Sequence, residues 1–186
     1  MKAYGMKLIF LGWMLVFGVF MCVRASAQAP AKSVLLFDFE KDTEEWRVDW
    51  DSLDAGPQVS ESQAHHGKKS IAYAHRFKMD QQTVGGVVTF KVPKDFSGFE
   101  ELSGWVYIPE HDDWQAQMYV RSGDDWTLNW GRLYEGLKRG WNRVEIKIAS
   151  IGKPTEVKDV GIQIKNWNVE ADVTLCIDQV EAIERK

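Results

Sequence analysis

Gln115-Ala116-Gln117-Met118-Tyr119-Val120-Arg121-Ser122 alternates without interruption. Ala116, Met118 and Val120 fall on one side, Gln117, Tyr119 and Arg121 on the other. Successive strand residues point to opposite faces of a sheet, so this stretch reads as a β-strand with one face in an apolar core and a polar face turned away from it. The pattern continues in both directions along the chain. Val34–Glu40 sets Leu35, Phe37 and Phe39 against Asp38 and Glu40, Ser70–Phe77 alternates loosely, Val84–Val92 is β-branched, and Glu101–Ile108 is apolar on both faces. Further strands are predicted at Trp126–Trp130, Trp141–Ile148, Val157–Lys165 and Asp172–Ile183. Between them lie turn formers such as Ala55-Gly56-Pro57, His66-Gly67-Lys68, Ser122-Gly123-Asp124-Asp125 and Gly152-Lys153-Pro154. Many strands at short, turn-marked intervals predict an all-β sandwich or barrel, read here as one two-sheet antiparallel β-sandwich over residues 34–184. Lys41–Trp46 supports a turn of helix at most.

The chain of 186 residues opens with a secretory signature. Lys2 and Lys7 precede an uncharged apolar run, Leu8–Val23, and Ala25-Ser26-Ala27 supplies the small residues a signal peptidase requires. The run has 16 residues, short of the roughly 20 a membrane-spanning helix needs. Val19-Phe20-Met21 ahead of Cys22 is too bulky for a lipoprotein motif. Residues 1–27 are therefore read as a signal peptide and 28–33 as a loose tail, which makes the protein secreted or periplasmic. Removing 27 residues leaves 159, one domain's worth, and takes the formal net charge from −4 to −7. Such an acidic domain is poorly suited to nucleic acid or anionic lipid. Only Cys176 remains, so no internal disulfide forms. His65, His66, His75 and His111 show no zinc-type spacing.

Tryptophan is over-represented, with eight of nine lying beyond the signal segment. Its flat apolar face fills cores and stacks on sugar rings. If the central strands are neighbours, one outer face collects Trp105, Tyr107, Gln117, Tyr119, Arg121, Gln163, Lys165 and Trp167. Aromatics mixed with long hydrogen-bonding side chains are what a sugar surface requires. Trp114 follows His111-Asp112-Asp113 in an expected loop, where a rim stacking role suits it. Trp126, Leu128 and Trp130 share parity and read as core, with Thr127 and Asn129 on the polar side. Trp46 and Trp141 read as packing residues.

The order of short motifs carries a resemblance. Phe37-Asp38-Phe39-Glu40, Trp46, His66-Gly67-Lys68-Lys69-Ser70, Leu102-Ser103-Gly104-Trp105-Val106-Tyr107-Ile108-Pro109, Gly140-Trp141-Asn142-Arg143-Val144 and Ile177-Asp178-Gln179-Val180 follow one another. This order resembles the non-catalytic carbohydrate-binding modules with a galactose-binding-like β-jelly roll, over nearly all of residues 34–184. The resemblance implies reversible binding of a polysaccharide or oligosaccharide. It also implies a structural calcium ion near Asp38, Glu40, the Lys68 loop backbone and Asp178, where carboxylates and carbonyls would supply oxygens. Two other classes remain open from sequence. An aromatic outer face also suits a protein–protein interaction module, and Arg121, Gln117, Gln163, Tyr107 and Tyr119 echo a jelly-roll polysaccharide lyase. No histidine falls on the expected face, and no acid–base pair stands out from the turn-forming aspartates.

Overall fold

A computed structural model describes residues 32–49, 56–79, 84–110 and 113–186. The expected signal peptide and residues 28–31 of the expected tail lie outside the described residues. In chain order the strands are β1 (Ser33–Phe37), β2 (Arg47–Val48), β3 (Gln58–Ser60), β4 (Ser70–Phe77), β5 (Val84–Thr89), β6 (Phe99–Ile108), β7 (Trp114–Ser122), β8 (Thr127–Trp130), β9 (Tyr134–Leu137), β10 (Gly140–Lys147), β11 (Val157–Lys165) and β12 (Ala171–Glu184). The first sheet has the order β10-β6-β12-β4-β3, with β1 also on β12; the second has β2-β5-β11-β7-β8, with β9 also on β7. Every pairing is antiparallel. Lys41–Trp46 forms a turn rather than helix, and Ser33, placed in the tail by sequence, pairs with Ile183.

The core lies between the sheets and is built by the alternation read from sequence. Ala116, Met118 and Val120 of β7 join Ile162 and Ile164 of β11, Leu102, Val106 and Ile108 of β6, and Leu175 and Ile177 of β12 in one buried cluster. Gly104 lets the layers approach closely: a Cβ there would stand 3.2–3.3 Å from Ile162, Met118 and Val180. In β12 the register shifts between Asp178 and Glu181, with Gln179 at φ 46°. That bulge returns Val180 and Ala182 to the core side after Ile177 while Asp178 faces out.

Three sequence expectations are corrected. Strands β6 and β7 are not neighbours but belong to opposite sheets, so Trp105 and Tyr107 lie on the outer face of the first sheet. There the His65 ring stacks on Trp105 at 3.8 Å and Trp141 packs against Tyr107 at 5.4 Å, which occupies these aromatics locally. Alternation fixes which side a residue takes but not which sheet its strand joins.

Trp114 is not a rim residue. It opens β7 with its side chain sealed in the core, edge-on to Phe77 at 4.8 Å, and its indole N–H donates to the Glu110 carbonyl at 2.8 Å. The aspartate before it holds the left-handed turn, φ 63°, that starts the strand early.

The parity of β8 is reversed. Asn129 is buried, donating to the Val120 carbonyl and the Ser122 hydroxyl and accepting from the Gly152 amide at 2.9 Å, while Trp130 and Leu128 point outward. A buried amide must be hydrogen-bonded, and these partners tie β8 to β7 and to the Gly152 loop. Trp114→Ala should lower stability by about 3–5 kcal/mol through loss of a buried ring, measured by urea unfolding; an unchanged midpoint would show that the ring is not a core element.

Candidate functional site

Strand β11 runs between β5 and β7, and its register orders the outer face of the second sheet into rows. One row crosses five strands as Trp130, Tyr119, Gly161, Val88 and Arg47. A second holds Leu128, Arg121 and Asp159. On the other side come Gln117, Gln163 and Gly86, then Gln115 and Lys165. The sequence expectation that Gln117, Tyr119, Arg121, Gln163 and Lys165 share one surface away from the core holds in this geometry. Trp167 follows β11, with its indole N–H 3.4 Å from the Gln115 side-chain oxygen, and joins the same face.

The centre of this face is a fixed floor, not an open aromatic platform. Tyr119 is fully buried although it points away from the core. Its ring lies across β11 because Gly161 has no side chain; a Cβ at Gly161 would fall inside the ring. The phenol donates to Asp49 at 2.5 Å, and burial together with that bond pushes its pKa far above the ordinary value. Arg121 pairs with the same Asp49 oxygen and with Asp159 at 3.0 Å. Asp159 is fully buried, and burial raises its pKa against the pull of Arg121. Its second oxygen, Oδ1, has no hydrogen-bond partner. Beside this cluster the Gln117 side chain donates to Gln163 at 2.9 Å. Burial alone lowers the Lys165 pKa.

Aromatic and apolar side chains rim the floor. Trp130 is 39% exposed with its ring 5.5 Å from Tyr119, and Trp167 is 36% exposed. Sequence reasoning missed Trp130, Asp49 and Asp159. Asp159 was legible, since it continues the outward series of Gly161, Gln163 and Lys165. Asp49 reaches the site from a distant segment, and no local pattern marks it.

Residues 37–179 match the family described as "Mannanase, galactose-binding domain-like". The chain belongs to this family. Its fold is that of carbohydrate-binding modules. It superposes on a carbohydrate-binding module from a study of promiscuous specificity in the β-sandwich superfamily with TM-score 0.65 and 15% identity, covering 81% of this chain and 62% of that one. It therefore spans less than two thirds of that structure. The CBM27-1 module of Caldicellulosiruptor saccharolyticus, solved with mannohexaose, superposes with TM-score 0.61 and 15% identity over 82% of this chain and 97% of that one. The family 11 module of Clostridium thermocellum, solved with a β-1,3-1,4-mixed-linked tetrasaccharide, gives TM-score 0.60 and 11% identity over 84% and 98%. No curated protein matches the sequence.

In this galactose-binding-like domain the residues expected to hold calcium are engaged otherwise. Asp178 is buried and accepts the amides of His65 at 2.8 Å, His66 at 2.9 Å and Gln179 at 2.7 Å. Glu40 accepts the amides of Lys68 at 2.7 Å and Lys69 at 2.9 Å, and these two bonds hold its pKa below the ordinary value. Asp38 accepts the Glu40 amide at 3.1 Å. Calcium takes six to eight oxygens, whereas this loop turns N–H groups toward the carboxylates. Among the described residues no cluster of three or more His, Cys, Asp or Glu side chains suits a metal. The donor set does not fit calcium, and its work of tying the loop after β3 to β12 is done by amide hydrogen bonds. The melting temperature should accordingly be the same in calcium and in chelator; a rise of several degrees with calcium would refute the amide account. Gly161→Ala should displace the Tyr119 ring and lower stability by about 1–3 kcal/mol, the usual range for an overpacked site, read by thermal unfolding.

Proposed function

We propose that this domain binds a polysaccharide chain reversibly, without chemistry, on the outer face of the second sheet, and that it does so outside the cell or in the periplasm. One observation carries the reading: Trp130 and Trp167 stand half-open to solvent on the rim of a floor whose polar groups are already fixed by one another. A sugar ring offers an apolar C–H face to an indole and hydroxyls to polar groups around it. Trp130 would stack on one unit beside the Tyr119 row. Trp167, with Gln115 and Lys165, would take another. The Gln117–Gln163 pair leaves the Gln163 amide N–H groups and the Gln117 oxygen for hydroxyls. Arg121 would orient these groups more than it would bind a charged glycan, since Asp49 and Asp159 already neutralise it. Trp105 and Tyr107 play no part in this surface.

A neutral mannan is the ligand we favour, from the family description and the mannohexaose-bound relative of the same fold. Preorganised groups favour binding, because little side-chain freedom is lost when the ligand docks. Affinity electrophoresis in a mannan gel should retard the wild-type protein. Trp130→Ala and Trp167→Ala should each weaken binding about tenfold or more, equivalent to about 1.4 kcal/mol, with little change in melting temperature. Unretarded wild-type migration in mannan and other neutral glycans, with capture of a protein partner through the same tryptophans, would favour an interaction module instead.

A further inference from the structure

Trp126 breaks the turn chemistry of its own hairpin. Strands β7 and β8 are joined by Gly123-Asp124-Asp125-Trp126, closed by the Trp126 amide on the Gly123 carbonyl at 3.2 Å. The last residue of this loop sits in the left-handed region, φ 54°, where glycine or asparagine is favoured and a bulky aromatic is strained. A tryptophan held there ought to be repaid by packing, yet Trp126 is 49% exposed, the most of any tryptophan among the described residues. Local rules broken without a folding gain are expected at functional positions.

The ring is not placed at random. It lies 6.1 Å from Phe90, which follows β5 two strands away across β11. Phe90 is itself an exposed apolar side chain, so the two rings form an exposed aromatic pair, and Leu128, also exposed, lies on the same hairpin as Trp126. The Arg47 guanidinium sits 4.0 Å over the Phe90 ring. Arg47 is exposed, and among the described residues no carboxylate pairs with it, in contrast to Arg121. Trp130 lies four positions after Trp126, on the order of 13 Å at about 3.3 Å per extended residue. One sugar ring cannot reach both.

We infer that Trp126, Phe90 and Arg47 form a separate stacking subsite for a further neutral sugar unit of the same chain, with Trp126 and Phe90 receiving the ring and Arg47 donating to hydroxyls. The inference rests on the proposed glycan-binding reading, because Trp126 and Trp130 lie on one hairpin, at the start and the end of the segment that forms β8. It makes the protein a reader of chain length: short oligosaccharides fill the Trp130 region alone, and longer ones gain the outer subsite.

Calorimetric titration with mannooligosaccharides of two to six units tests this. Wild-type affinity should climb along the series. Trp126→Ala should remove that gain, lowering affinity for the longest member about tenfold, as expected for truncating one aromatic anchor, and leave that for the shortest within twofold. Trp130→Ala should weaken every member that binds. Trp126→Gly, which suits the left-handed turn, should show the same length-dependent loss with an equal or higher melting temperature. Equal losses across the series, no loss at all, or a lower melting temperature for Trp126→Gly would overturn the subsite while leaving the parent reading intact. Failure of the wild-type protein to bind any member would overturn the mannan reading, and the subsite with it.

Discussion

Strand β11 has a partner on both sides, and the register it keeps with β5 and β7 decides what every side chain of the second sheet does. Ile162 and Ile164 go to the core, and Asp159, Gly161, Gln163 and Lys165 go to the outer face. Gly161 stands directly opposite Tyr119. The gap it leaves lets a large ring lie flat on the sheet, and from there the phenol reaches Asp49. A one-residue slip would put Val160 or Ile162 in that place and send the polar series inward. The core and the outer face are therefore set by the same pairing.

The charge cluster above this pairing shows how a floor can be held rigid without apolar packing. Arg121 lies between Asp49 and Asp159, and neither carboxylate is open to solvent to any great extent. Buried ion pairs gain little over apolar packing, but removing one member strands the others in a poorly solvated site. Tyr119 adds a donor to Asp49, so four side chains from three separate segments are locked together. Their value is positional: they hold the Tyr119 ring against which Trp130 packs, while Gln117 and Gln163 bond to each other alongside. The opposite sheet treats its polar residues differently. There Glu101 draws Arg143 and Lys147 into a network on the surface of β6 and β10, and these bonds outweigh the opposing effect of burial to keep its pKa low. Nothing in that network pairs with an exposed tryptophan.

Much of this was legible before any coordinates. Period-two alternation located nine of the strands, and the polar side of β7 and β11 was read correctly because both strands have long, clean patterns. Short elements escaped: β2, β3 and β9 have two to four residues, too few for a period to show. Sheet membership escaped too, which is why Trp105 and Tyr107 were grouped with residues on the far side of the molecule. The β8 reversal has a chemical cause. An apolar-looking Trp-x-Leu-x-Trp series suggests core, but the strand is anchored by the hydrogen bonds of Asn129, and the large apolar side chains are left outside. Exposed tryptophans defeat a hydrophobicity argument.

The two ends of the sandwich meet. Strand β1 pairs with the last third of β12, the Glu184 amide donates to the Lys32 carbonyl at 2.9 Å, and the Lys32 ammonium pairs with the Glu184 carboxylate at 2.8 Å. Both belong to the first sheet, the layer remote from Trp130 and Trp167. A short peptide could splice residue 184 to residue 32 on the side of the first sheet, away from β7 and β11. A surface or reporter grafted beside this junction would lie on the layer opposite the tryptophan-lined side.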